Sequence, residues 1–304
     1  MISIVLFILS AQVPDSVLAQ AKRFAATVSD TGVARRQGFG PLALGNASDL
    51  TPFQGQHWLH RWRVFGGSPG TTAPSFLMFV PLNGSWQLAG LAYSRRISQD
   101  SVVPTTLGDV PTPWHLHQPC FVVPGEGEAL ADGEPDGRAR GGMPRPPQIA
   151  MVHAWTAVPN PEGPFAHDNV ALPYWVVGLT LPRPADLSTP PRARRIRALG
   201  LALGETYGAR MPYARLVESV SPMAGLADSL AIHRTALRQL VPQLKAADQA
   251  GNRRQFNVLA THAIGEWESL RRLYAEAAPS DAVKAQLERQ DAMVLGEAPH
   301  SHQH

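Results

Sequence analysis

From residue 15 to residue 36 apolar side chains return every three or four positions, at Val17, Leu18, Ala21, Phe24, Ala25 and Val28. That spacing puts them on one face of a helix, and Asp15 or Ser16 can cap its start. The stretch "QGFGPLALGNAS" then ends the pattern with glycine and proline. Next, "HWLHRWRVF" (57–65) mixes aromatic residues with alternation, and "SFLMFV" (75–80) is continuously apolar. Both read as strands. The dipeptide Asn83-Gly84 tolerates positive φ and predicts a hairpin. On the return strand, 85–94, Gln87, Ala89, Leu91 and Tyr93 share one face, and Trp86, Leu88, Gly90 and Ala92 the other. Two further strands are expected at 114–123 and 149–158. The Gly- and Pro-rich segment 125–148 between them reads as a surface loop.

After "LPRPADLSTPP" (181–191) the period changes to that of helices. Helices are expected at 192–208, 222–246, 252–277 and 279–295. The middle two form a hairpin that turns at Gly251, and Phe256, Leu259, Ala263, Trp267, Leu270 and Tyr274 make a narrow apolar stripe on the second. The expected fold is α+β: an N-terminal helix on an antiparallel β-sheet, followed by a helical C-terminal region. The division is a signal segment over 1–11, an α+β domain over 12–185, a helical region over 190–296 and a disordered His-rich tail over 297–304.

Charge changes this picture little. Net charge is +3 over 304 residues. The one dense basic run, "RARRIR" (192–197), sits at a helix entrance without interleaved aromatics, so it reads as a solvated helix face and not as a nucleic-acid contact. The apolar run "MISIVLFILSA" resembles the core of a secretory signal. It lacks the usual preceding positive residues, so a start further upstream is part of the expectation. Cleavage after Ala19, or earlier after Ala11, leaves a periplasmic or secreted chain with no stable membrane span, because no other stretch reaches about 20 apolar residues. A single cysteine excludes an internal disulfide.

The chemistry concentrates in "PTPWHLHQPCFVV" (111–123). His115 and His117 alternate onto one face of a strand, and Pro119 can turn Cys120 toward the same point. His153 lies in the next apolar strand. If the two strands pair, His115, His117, Cys120 and His153 can converge, and imidazole with thiolate suits Zn or Cu. His167 and Asp168, in "VPNPEGPFAHDN", can add a ligand or orient a ligating ring by accepting its other N–H, and Phe165 can pin that loop to the sheet. A second, weaker group is His233 with His262 and Glu266 on the helical hairpin; the tail histidines His300, His302 and His304 add a loose third.

Taken together, "NGSWQLAGLAYS", the H-x-H segment, "MVHAWTAVPNPEGPFAHDN" and the helix ending in "ARRQGFGPL" resemble an exported bacterial family without an established activity. The matching positions are Gly38-Phe39, Gln87 to Tyr93, Val152 to Trp155, and Asn160 to Phe165 with Asn169. The resemblance spans about residues 15–175. It implies export and a place for the first helix in the fold, and nothing for the helices after 190.

Other classes fit less well. A blue-copper site wants a further His and a Met soon after Cys120, and the next histidine is His153. A cupin shares the H-x-H strand and the later His but not the glutamate that follows; Phe121 and Val122 stand there. A thiol hydrolase would need a nucleophile turn around Cys120. Dinucleotide and phosphate-loop fingerprints are absent. Three readings follow: an exported metal-binding protein whose partner is a Zn or Cu ion, a cupin-like metalloenzyme, and a metal-free structural or interaction protein.

Overall fold

The computed structural model describes residues 16–44, 47–48, 50–65, 73–97, 102–117, 121–123, 127–129, 143–144, 148–211, 214–215, 217–218, 224–278 and 281–297. The signal segment, Cys120, most of the loop 125–148 and the histidine tail lie outside these residues.

The α+β expectation holds. The chain opens with two short helices in place of one. Helix α1 (Val17–Ala26) starts at Ser16, whose side chain accepts the Ala19 N–H. Helix α2 (Thr31–Arg36) starts at Asp30, which accepts the Val33 N–H at 2.9 Å. The break falls at Thr27, Ser29 and Asp30, whose short polar side chains bond locally and compete with helical continuation.

The sheet has six strands: β1 (Phe39–Pro41), β2 (Gln56–His60), β3 (Phe76–Leu82), β4 (Ser85–Ile97), β5 (His115–His117) and β6 (Gln148–Trp155), in the order β1-β2-β3-β4-β6-β5 and antiparallel throughout. Asn83 and Gly84, at φ 52° and 79°, make the β3–β4 turn as their residue types require. Residues 61–65 are not strand. They form a single-turn helix, α3 (Arg61–Phe65), which drops Val64 onto Phe76, Ala92 and Met151 and leaves Trp62 80% exposed. The segment expected as one strand over 114–123 is also divided. His115–His117 joins the main sheet, whereas Phe121–Val123 pairs with Gly127–Ala129 and Met143–Pro144 in a separate small sheet.

The expected alternation on β4 is broken by a bulge. Met78 faces Gly90 and Phe79 faces Leu88, so Ala89 is an extra residue. Ala89, Gly90 and Ala92 consequently turn to one side, while Leu88, Leu91 and Tyr93 turn to the other. A bulge bends its strand, and Gly90 lets neighbouring atoms close in: a Cβ there would sit 3.0 Å from the Ala154 carbonyl oxygen and from the Trp155 ring.

One face of the sheet, with Trp58, Leu77, Phe79, Leu91, Tyr93, Val152 and Ala154, is covered by Val17 and Ala21 of α1 and Ala34 of α2. The opposite face carries two apolar patches. One gathers Met78, Val80, Ala89 and Trp155 under Ala171 and Leu172, at the start of helix α4 (Leu172–Val177). The other lies beneath α3. Helices α5 (Pro190–Thr206), α6 (Ala224–Gln249), α7 (Arg253–Glu276) and α8 (Asp281–Leu295) share a second core that includes Leu201, Leu230, Leu237, Leu244, Trp267 and Leu270. Burial of each such side chain stabilises by roughly 1.5–3 kcal/mol. Among the described residues no helix is long and apolar enough to cross a membrane.

Candidate functional site

Histidines occupy the sheet face between the two apolar patches. Met151 of β6 pairs with His115 of β5, and Ala92 of β4 pairs with His153 of β6. Cross-strand partners share a face, so His115 and His153 lie side by side, with ring centroids 5.1 Å apart. This is the strand pairing on which the expected convergence of His115 and His153 depended.

The loop after β6 adds a third ring. Trp155 donates its indole N–H to the Ala166 carbonyl at 2.7 Å, and its backbone N–H to Pro164. Asn160 donates to the Asp168 carbonyl, and Asn169 to Val158. These bonds fold the turn-rich loop back over the sheet. His167 thereby lies 4.2 Å from His115 and 5.4 Å from His153, centroid to centroid. Phe165 packs toward the α1-side cluster, in keeping with its expected anchoring role.

A fourth ring, His57 of β2, is 5.8 Å from His153. Their strands are three spacings apart, about 14 Å in a flat sheet. The curvature of this face and the small Gly90 and Ala92 between them shorten that gap. His57 was not singled out in the sequence, because nothing local marks it; its membership depends on the bend.

Hydrogen bonds fix the roles of two rings. The His153 Nδ1 bonds the His167 carbonyl oxygen. A carbonyl can only accept, so Nδ1 carries the proton and, in the neutral ring, the lone pair is on Nε2. His167 presents Nδ1 to the Asp168 carboxylate at 3.1 Å, which again leaves the lone pair on Nε2. Nδ1–H held by a carbonyl or a carboxylate is the arrangement that orients metal-binding imidazoles. Gln54 donates to the same Asp168 oxygen at 3.1 Å, and its amide lies 3.2 Å from the His167 Nε2. A metal held at that nitrogen would have to take the place of the amide. Burial pushes the Asp168 carboxyl up, but the His167 N–H, the Arg197 charge and the Gln54 amide act against it and hold Asp168 below the usual carboxylate range. His153 is fully buried, His57 and His115 are nearly so, and the His167 side chain is 33% exposed.

Among the described residues, no group of three or more His, Cys, Asp or Glu side chains is placed to hold a metal ion. The His115 ring meets those of His153 and His167 edge to face, whereas His153 and His167 are stacked at 29° and His57 is tilted at 40° to His153. Asp168 stands against the His167 ring, and His167 lies within the cluster. The His117 backbone pairs with Ile149, but its side chain, like Cys120, lies outside the described residues.

On the helical hairpin, His233 and Glu266 meet at 2.6 Å, while His262 faces a shallow groove beside Gln239 and Gln243. In the run 192–197, Arg192, Arg194 and Arg195 are exposed as expected. Arg197 is buried, because the helical period turns it inward toward Glu162 and the Val294 carbonyl.

The fold and the cluster together describe a helix-covered, bent antiparallel sheet that holds several imidazoles on its inner face. No family model, curated protein or solved structure matches the chain.

Proposed function

We propose that this is an exported protein that binds a soft transition metal, Zn or Cu, on the bent sheet. Its ligands are drawn from His115, His153 and His167, with His117 and Cys120 beside them in sequence. One observation carries the reading: two neighbouring buried or half-buried rings have Nδ1–H tied to oxygen, so each offers Nε2 as a donor. The imidazole set suits Zn or Cu, and oxygen-preferring Ca or Mg poorly. The bound ion would supply charge neutralisation and a fixed geometry. The chain's own part is to orient the rings, through the His167 carbonyl and Asp168, and to exclude water from His153. The proposed destination, periplasmic or secreted, rests on the apolar N-terminal run and on the motifs that resemble an exported family.

A cupin-like enzyme is the weaker reading. Cupins place their histidines inside a β-barrel, whereas here they lie on a six-stranded sheet with helices against both faces.

The test is metal content by mass spectrometry on untagged protein whose tail histidines (300, 302 and 304) are replaced by serine. One retained equivalent of Zn or Cu is expected, and it is lost in His153→Ala and in His115→Ala. A parent that retains no more metal than the His115→Ala/His153→Ala double variant ends the proposal.

A further inference from the structure

We infer that Arg197 is a positioning residue: it ties the C-terminal helices to the loop that carries His167 and Asp168, and through that loop sets how tightly the histidine cluster holds a metal. The second half of this inference rests on the metal-binding reading; the first does not.

Arg197 belongs to α5, far from the sheet in sequence, yet its side chain is 7% exposed. One guanidinium nitrogen donates to the Val294 carbonyl of α8 at 3.1 Å, and the other pairs with the Glu162 carboxylate. Glu162 lies in the tight turn at Asn160. Its backbone N–H is taken by the Asn160 side chain at 3.0 Å, and the same side chain donates to the Asp168 carbonyl at 2.7 Å. A continuous path therefore runs from α8 through Arg197, Glu162 and Asn160 to Asp168, and from Asp168 to the His167 ring. A buried arginine is costly to desolvate unless it is paired and hydrogen-bonded. This one has two oxygen partners, on two different elements, and one of them is the loop. Loops carry few interior contacts of their own and open easily, so a rigid arm from a helical core is what keeps such a loop in a single placement.

The test compares full-length wild type with Arg197→Met and Arg197→Lys. Hydrogen exchange on metal-free protein reads the first half. Amides of 160–169 exchange at least tenfold faster in Arg197→Met, with those of β3 and β4 unchanged, and Arg197→Lys restores much of the protection. Equal exchange in wild type and Arg197→Met overturns the tie. Zn titration and the visible spectrum of the Co-substituted protein read the second half. Changing a residue that supports a ligand typically costs 10–100-fold in metal affinity, so a loss of about tenfold and a shifted Co spectrum are expected. Unchanged affinity and spectrum overturn the link to metal. If wild type binds no metal, the metal reading and this link fail together, and the exchange result still decides the tie. If Arg197→Met does not fold, Glu162→Gln breaks the pair from its 32% exposed side and is held to the same outcomes.

Discussion

Asn169 shows how much one side chain can hold in place. It is fully buried, and all of its polar groups have protein partners: Nδ2 donates to Val158, Oδ1 accepts from Ala171, the backbone N–H donates to Phe53, and the carbonyl accepts from Leu172. It joins the strand end, the histidine loop and α4. Asn169→Ala leaves two buried partners without their bonds, at about 1–3 kcal/mol each. We expect a loss of roughly 2–4 kcal/mol in urea unfolding at unchanged m-value, and a larger one for Asn169→Asp, whose carboxylate would face the Val158 carbonyl. A loss of under about 0.5 kcal/mol for Asn169→Ala would mean that the loop is held elsewhere. At this scale the sequence is a partial guide. His115 and His153 could be placed together because strand alternation and pairing are local rules. His57 could not, and the role of Asn169 was visible only as part of a resembling motif, because its partners are three separate backbone segments.

Elements were more legible where capping and period agree. The α6–α7 hairpin turns at Gly251, φ 65°, and α7 begins where Asn252 accepts the Gln255 N–H at 3.1 Å. Glycine just past one helix and asparagine capping the next are ordinary stop and start signals. Asn252→Ala removes the cap, and we expect it to cost about 1 kcal/mol, read as a lower thermal midpoint, while Asn252→Asp keeps most of the stability. Equal melting of Asn252→Ala and wild type would show that tertiary packing alone sets the start of α7. The sheet was read less well, for reasons of the same kind. Residues 61–65 alternate like a strand, but Val64 gains more by packing over Phe76 and Ala92 in a helical turn. The bulge at Ala89 reverses the expected faces of β4 before Gly90. Both departures come from packing across the sheet, which periodicity along the chain does not encode.

At the scale of the molecule, the helical region has its own charged centre, and its placement was the least legible feature. Arg234 of α6 pairs with Glu205 of α5 at 2.9 Å and with Glu218 at 2.6 Å, and it also reaches the Tyr274 hydroxyl of α7; Arg210 stands 3.6 Å and 3.5 Å from the same two carboxylates. These residues are spread over 70 positions, and nothing local in the sequence marks them as one group. The two carboxylates are unequal. Burial outweighs its ion pairs at Glu205 and pushes it up. At Glu218 burial also pushes upward, but hydrogen bonds from Tyr274 and Arg234 prevail and hold it below the usual range. Glu218 thus stabilises the fold fully above its unfolded pKa, about 4.3, and that contribution is lost as pH falls through the lower folded value. Glu205 acts in the opposite sense, since its raised folded pKa favours the fold as acid is added. Arg234→Met removes the shared cation and leaves only Arg210. Breaking a buried pair costs about 3–5 kcal/mol, and the remaining Arg210 places this case near the lower figure. Without Arg234 both carboxylates lose a cation that lowers their pKa, so protonation costs the variant less than it costs wild type. The deficit relative to wild type, measured by urea unfolding, should be largest at pH 7 and shrink steadily toward pH 4.5. A deficit that stays constant over that range would assign the loss to the packing of the arginine stem and not to the charges it joins.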